Sequence, residues 1–134
     1  MATQAGPNLE SGNVNEYTAE AAIEAYRLVK YGTAEGEVVA CSAITDVAIG
    51  VSLNKAALGG RVQVQTRGVA LLTVSAGVAR GAQVMPTAAG AGKGMTAAGA
   101  TAKSCAIAEN TTAADAEVAV VRLCCPNLNG PANS

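Results

Sequence analysis

The 134-residue chain contains no histidine, no tryptophan and no phenylalanine. Without histidine, neither a Ser–His nor a Cys–His nucleophile arrangement is possible, and imidazole ligation of a metal is ruled out. Without tryptophan or phenylalanine, three tyrosines supply all the aromatic surface: Tyr17, Tyr26 and Tyr31. Large aliphatic side chains are also scarce. Of the residues counted as hydrophobic, 30 are Ala, and Val, Ile, Leu and Met together supply 30 more. The apolar surface available for burial is therefore about half what a hydrophobic fraction of 50% suggests. One domain of this length with so slight a core is expected to gain stability from partners, and self-association is the standard remedy. No run approaches the ~18 apolar residues that span a bilayer, and residues 1–15 carry Pro7, Asn8 and Glu10 where a signal peptide would need an apolar stretch. Synthesis in a reducing cytoplasm, with free thiols, is the expectation.

Four cysteines are present. Cys41 and Cys105 lie in apolar runs and read as small core residues. Cys124 and Cys125 are adjacent, so on a strand they point to opposite faces and do not share one ligand or bond. No C-x-x-C spacing offers a zinc site. A cofactor is not expected, nor a metal.

The net charge of −1 favours neither nucleic acid nor an acidic substrate, but its distribution is uneven. Up to residue 24 the charges are Glu10, Glu16, Glu20 and Glu24; between Asp46 and Glu109 they are Lys55, Arg61, Arg67, Arg80, Lys93 and Lys103, with no acid. Two readings stay open: solvated charges on a β surface, or an acidic arm pairing with the basic body of a neighbouring copy. The six cations have no interleaved aromatics for base stacking, so direct nucleic-acid binding is not expected.

Residues 1–15 (MATQAGPNLESGNVN) show little periodicity and read as an extended arm. Thr18 is a candidate N-cap for a short helical turn, limited by the stacked like charges of Glu16, Glu20 and Glu24. The expected organisation is an N-terminal arm over 1–24, a β-rich domain over 25–125 and a loose tail over 126–134, in which Asn and Pro recur. The body then alternates short β-prone segments with turns: 26–31 (YRLVKY), 37–41 (EVVAC), 47–51 (VAIGV), 61–66 (RVQVQT), 69–75 (VALLTVS), 104–109 (SCAIAE) and 117–123 (EVAVVRL). In 61–66 the alternation is clearest, Val62 and Val64 on one face against Arg61, Gln63 and Gln65 on the other. The Ala, Gly and Thr stretch over 87–102 reads as surface loops around one short strand near 93–96. Some eight short strands without helical patterns between them predict a mainly β fold: a small antiparallel β-barrel or sandwich with an extended N-terminal arm.

Few motifs carry chemistry. Gly90-Ala-Gly-Lys-Gly94 lacks the Ser or Thr a phosphate loop needs after its lysine, and Met95 stands where a dinucleotide fingerprint needs its third glycine. It reads as a turn. Glu35 with Glu37 and Asp115 with Glu117 are carboxylate pairs at predicted turns, where acids are usually solvated. Asn110-Thr-Thr112 matches a glycosylation acceptor but reads as a polar turn. The chain is not expected to be an enzyme.

The Asp46…Ile49-Gly50-Val51 segment, the V-x-V at Val62 and Val64 closed by Gly68, and the G-x-x-x-G-x-x-V step from Gly77 through Gly81 to Val84 resemble the capsid decoration, or cement, proteins of tailed phages. The resemblance covers about residues 26–123. It implies a β-rich subunit, usually a homotrimer, on the outer surface of the virion capsid at local threefold positions, bound to the major capsid protein and without catalytic residues. On this reading the capsid contacts are expected in the arm, at Gln4, Pro7, Asn8, Leu9 and Tyr17, and the trimer contacts at Val62, Val64, Leu71 and Val120. No membrane partner is expected. The alternative from a different class is a small β-barrel binding module for a glycan or host surface ligand; three tyrosines near the N-terminus make a poor platform for one.

Overall fold

The computed structural model describes residues 14–43, 45–87, 92–96, 103–112 and 117–129. Ten strands make up its regular structure, and no helix occurs among the described residues. The first five, β1 (Val14–Ala19), β2 (Leu28–Tyr31), β3 (Glu37–Ala40), β4 (Gly50–Ser52) and β5 (Arg61–Gln65), close into a barrel in the order β1-β3-β2-β4-β5. The other five, β6 (Gly68–Thr73), β7 (Gln83–Pro86), β8 (Gly94–Thr96), β9 (Lys103–Ala108) and β10 (Val118–Asn129), form an open sheet ordered β6-β10-β9-β7-β8. All pairings are antiparallel except β1 with β3, a short parallel contact that seals the barrel at Thr18↔Glu37 and Ala19↔Val38. The mainly β expectation holds: five strands close into a barrel and five form an open sheet beside it.

Period-two alternation sorts side chains between two cores. On β5, Val62 and Val64 point into the barrel and are fully buried, joined there by Ala19, Ile23, Val29, Val38 and Ala56. On β2, Val29 faces that interior while Leu28 faces outward, where with Cys41, Ala48 and Val51 it packs on the inner face of the sheet, against Leu72, Val74, Val84 and Val121. At Leu28 and Val29 both faces of β2 are thus dry, which is why 28–29 can be a continuous apolar pair.

Backbone hydrogen bonds also join barrel and sheet. The Leu28 amide donates to the Gly92 carbonyl (2.6 Å), and the Thr73 amide donates to the carbonyl of Tyr26 (2.8 Å), a residue held at a positive φ of 61°. On the barrel side the buried Ser52 hydroxyl donates to the Glu24 carbonyl (2.7 Å) and accepts from the Arg27 amide (3.1 Å).

Three expectations change. Residues 14–24 are not part of an arm: β1 pairs with β5 from Val14↔Gln65 to Thr18↔Arg61, and Ile23 is a core residue of the barrel. Nor does Thr18 cap a helical turn, because its amide donates to the Gly36 carbonyl across the barrel seam (2.8 Å). The tail does not begin at Pro126 either. The backbone of β10 continues through a register shift between Leu123 and Leu128 and pairs Leu128 with Ser104 and Asn129 with Lys103. Pro cannot donate to a ladder, and a bulge is where a strand tolerates it.

Candidate interaction surfaces

Two surfaces stand out. The first is the outer face of the sheet. Because β6 and β10 pair as Leu71↔Val120, Val69↔Arg122 and Thr73↔Val118, the outward residues Val69, Leu71, Val118 and Val120 lie side by side. Val69, Leu71 and Val118 are 49%, 41% and 44% exposed. Ile107, opposite Arg122, extends the stripe onto β9. Beside the stripe, Arg122 and Glu109 pair with each other at 2.7 Å and so neutralise one another.

The second is an open end of the barrel. The β-pairings bring together the start of β1, the end of β2, the start of β4 and the end of β5. There Asn15, Tyr17, Tyr31, Val47, Ala48, Ile49, Thr66 and Arg67 line a groove of about 460 Å³. Tyr17 lies opposite the inward-facing Val62, packs on the barrel core and rises to the mouth. Tyr31, 63% exposed, meets it edge to face, with ring centroids 6.3 Å apart and planes at 73°. Burial and the adjacent Tyr31 push the Tyr17 phenol above its ordinary range, against a hydrogen bond with Asn15 that works the other way. It stays a neutral hydroxyl.

The floor of this groove, Val47 to Ile49, belongs to a loop fixed by Asp46. The Asp46 carboxylate accepts from the amides of Ser42 (2.7 Å) and Ala43 (3.0 Å) and pairs with Lys30 at 3.0 Å. Burial alone would raise its pKa; these partners outweigh burial and hold it below the usual value. Beside Tyr31, the 32–36 turn is held by Glu20, which accepts from the Thr33 hydroxyl (2.6 Å) and amide (3.0 Å). Those two bonds lower the Glu20 pKa.

The residues singled out from the sequence divide accordingly. Gln4, Pro7, Asn8 and Leu9 lie outside the described residues. Tyr17, expected on an arm, is a barrel residue whose exposed edge belongs to the groove. Val62 and Val64, expected at a trimer contact, are corrected: both fill the barrel interior and present nothing to a second copy. Leu71 and Val120 do face outward, side by side. The groove was missed because Tyr17 and Tyr31 are fourteen positions apart, and only closure of the barrel brings them together. Glu16, in the acidic segment, sits near Arg61 of its own chain (3.6 Å) across β1 and β5. Among the described residues no group of three Cys, Asp or Glu side chains is placed to hold a metal. Cys41 is buried and its thiol is pushed up to about 12, chiefly by desolvation, so it is an inert core residue.

The sequence matches no family model and no curated protein. Among solved structures, the fold is similar to the head fiber gp8.5 N base of bacteriophage phi29, with a TM-score of 0.68 over 87% of this chain and 97% of that one. Sequence identity is 13%, so the likeness is one of fold.

Proposed function

We propose that this chain is a structural protein of a phage head, a decoration or cement subunit that binds the outer capsid surface and strengthens contacts between capsomers. The observation that carries the reading is the fold shared with a phage head fiber base over nearly the whole of that chain. The resemblance of residues 26–123 to decoration proteins leads independently to the same class. On this reading the chain has no catalytic role and is made in the host cytoplasm.

The expected partners are the major capsid protein and further copies of this chain. Residues 1–13, which include Gln4, Pro7, Asn8 and Leu9, are the proposed capsid contact. A segment that orders on its partner loses conformational entropy but covers more surface, and three linked copies convert weak contacts into avid ones. The stripe of Val69, Leu71, Val118 and Val120 is the proposed contact between subunits of a homotrimer. With the Arg122–Glu109 pair internally neutral, two identical stripes meet without like-charge repulsion.

Co-sedimentation with expanded, empty capsids of the parent phage tests the reading. The full chain is expected to pellet with the capsids, and a variant lacking residues 2–13, which keeps all of β1, is expected to stay in the supernatant while remaining folded. Sedimentation equilibrium is expected to give three times the chain mass, falling to one in an L71D/V120D double variant. A stable monomer that ignores capsids would overturn the proposal.

A further inference from the structure

The barrel mouth has features that capsid binding through the N-terminal segment and self-association through the stripe leave unused. Mouths of β-barrels are common ligand sites, and a volume of about 460 Å³ lies within the 300–1,000 Å³ typical of small-molecule pockets. The tyrosines make a poor sugar platform by sequence position, but closure of the barrel brings two of them together here at a steep angle, one ring braced on the barrel core and the other largely exposed. Such a corner offers a flat apolar face beside hydroxyl groups, at little cost in side-chain entropy, since each ring has only two χ angles.

Arg67 stands at the rim. Its guanidinium forms no ion pair among the described residues, and no carboxylate lines the groove. A guanidinium is a planar fork that matches a carboxylate or phosphate. Asn15 adds an amide whose hydrogen-bonding capacity exceeds its one bond to Tyr17. The floor is apolar but small: Val47, Ala48 and Ile49. Around it the surface turns polar at once, at the Lys30–Asp46 pair and the Glu20–Thr33 turn. A protein partner wants about 800 Å² of continuous surface per side. A ring-sized apolar floor inside a polar rim suits one sugar unit, whose C–H face is apolar and whose edge is lined with hydroxyls.

We propose that the barrel mouth binds a saccharide bearing an anionic substituent, its ring stacked on Tyr31 and its carboxylate or phosphate held by Arg67. Tyr17 and Asn15 meet the ring hydroxyls, while Ile49 and Val47 support the apolar face from below.

The test is a titration of the full chain, followed by NMR, with three probes: methyl β-glucuronide, glucose 6-phosphate and methyl β-glucoside. The anionic probes are expected to shift the signals of Tyr17, Tyr31 and Ile49 and to bind about tenfold more tightly than the glucoside, the contribution of one charge-assisted contact. Preference for the glucuronide or for the phosphate identifies the substituent, and either supports the proposal. R67Q is expected to bring the anionic probes down to the level of the glucoside. Y31A is expected to weaken all three, while unchanged Ile23 and Val62 methyl signals show that the barrel is intact. Absence of shifts at the mouth, equal binding of charged and neutral sugars, or mouth signals that move only when capsid protein is added would each overturn it. Capsid co-sedimentation of Y31A is expected to match the parent chain, so a failed sugar site and a failed capsid role are read separately.

Discussion

The barrel and the five-stranded sheet draw on the same small side chains and bury them differently. The barrel closes on itself, so five strands enclose Ile23, Val29, Val38, Val62 and Val64 completely. Valines suffice because a five-stranded interior is narrow. The sheet is open and has one covered face. Its inner side, with Ala70, Leu72, Val74, Ala106, Ala108, Ala119 and Val121, packs on the outside of the barrel, while Val69, Leu71 and Val118 remain exposed on the other. Closure satisfies the barrel from within. The sheet is left with a face that another molecule can cover.

The sharpest way to break this contrast is to place the same charge in each region. V62D puts a carboxylate into a dry barrel with no partner, at a cost of several kcal/mol that is of the order of the whole stability of such a domain. The variant is expected to lose its cooperative thermal transition. L71D places the charge on the outward stripe and is expected to leave monomer stability within about 1 kcal/mol while abolishing self-association. Circular-dichroism melts and sedimentation on both variants check the pair. Equal damage from the two would mean that the regions do not differ as described.

Next in size is the joint between them. Gly92 has φ +90°, and a Cβ there would lie 2.7 Å from the Leu28 carbonyl oxygen and 2.9 Å from Arg27 Cβ. Neither neighbour yields cheaply, since one is backbone and the other the first atom of a side chain. G92A is therefore expected to lose about 3 kcal/mol and to part the turn from β2. Gly59 has a similar φ of +81° but open space around it, so G59A carries the backbone strain alone, about 1 kcal/mol. Urea denaturation of the two variants isolates the packing part of the cost.

On the barrel side of the joint, S52A removes the hydroxyl that serves the Glu24 carbonyl and the Arg27 amide. Two backbone groups then lose a partner, and a loss of about 2 kcal/mol is expected from urea melts. Faster hydrogen exchange should appear at Arg27 and spread to Thr73, whose amide reaches the adjacent Tyr26 carbonyl.

Much of this fold was legible in the chain. Alternation at Arg61–Gln65 gave its strand and its buried face, and Gly68 marked the start of the next strand, β6. The short strand expected near 93–96 is β8, Gly94–Thr96, although the packing of Gly92 against Leu28 is a tertiary contact with no local signature. The interface assignment at Val62 and Val64 failed for a related reason: alternation shows that a face is apolar and leaves open whether the rest of the fold or a second copy covers it. At β1 the pattern misleads. Val14–Ala19 carries polar residues on both faces, and its strand state comes from pairing with β5 and β3. The groove at the mouth depends on that same closure, and no short-range pattern in Tyr17 or Tyr31 announces it.

The smallest expected effect is a pH response confined to the barrel mouth. Asp46 ties residues 42–43 and Lys30 together, and these partners hold its pKa below that of a free carboxyl although burial pushes it upward. A carboxyl whose folded pKa is depressed contributes stability above its unfolded value, about 4, and that contribution is lost as pH falls through the lower folded value. Between neutral pH and about 5 the loop 42–49 is therefore expected to hold its structure. Below about 4 the Ser42 and Ala43 amides should exchange faster, and the Ile49 signal should broaden, before the Val62 and Val64 methyls change. D46N keeps the shape of the side chain without its titration. It is expected to show the fast Ser42 exchange already at neutral pH and no further change on acidification. An acid response of the same size in D46N would assign the effect elsewhere, with Glu20 the first group to test, since the Thr33 hydroxyl and amide hold it low in the turn beside Tyr31.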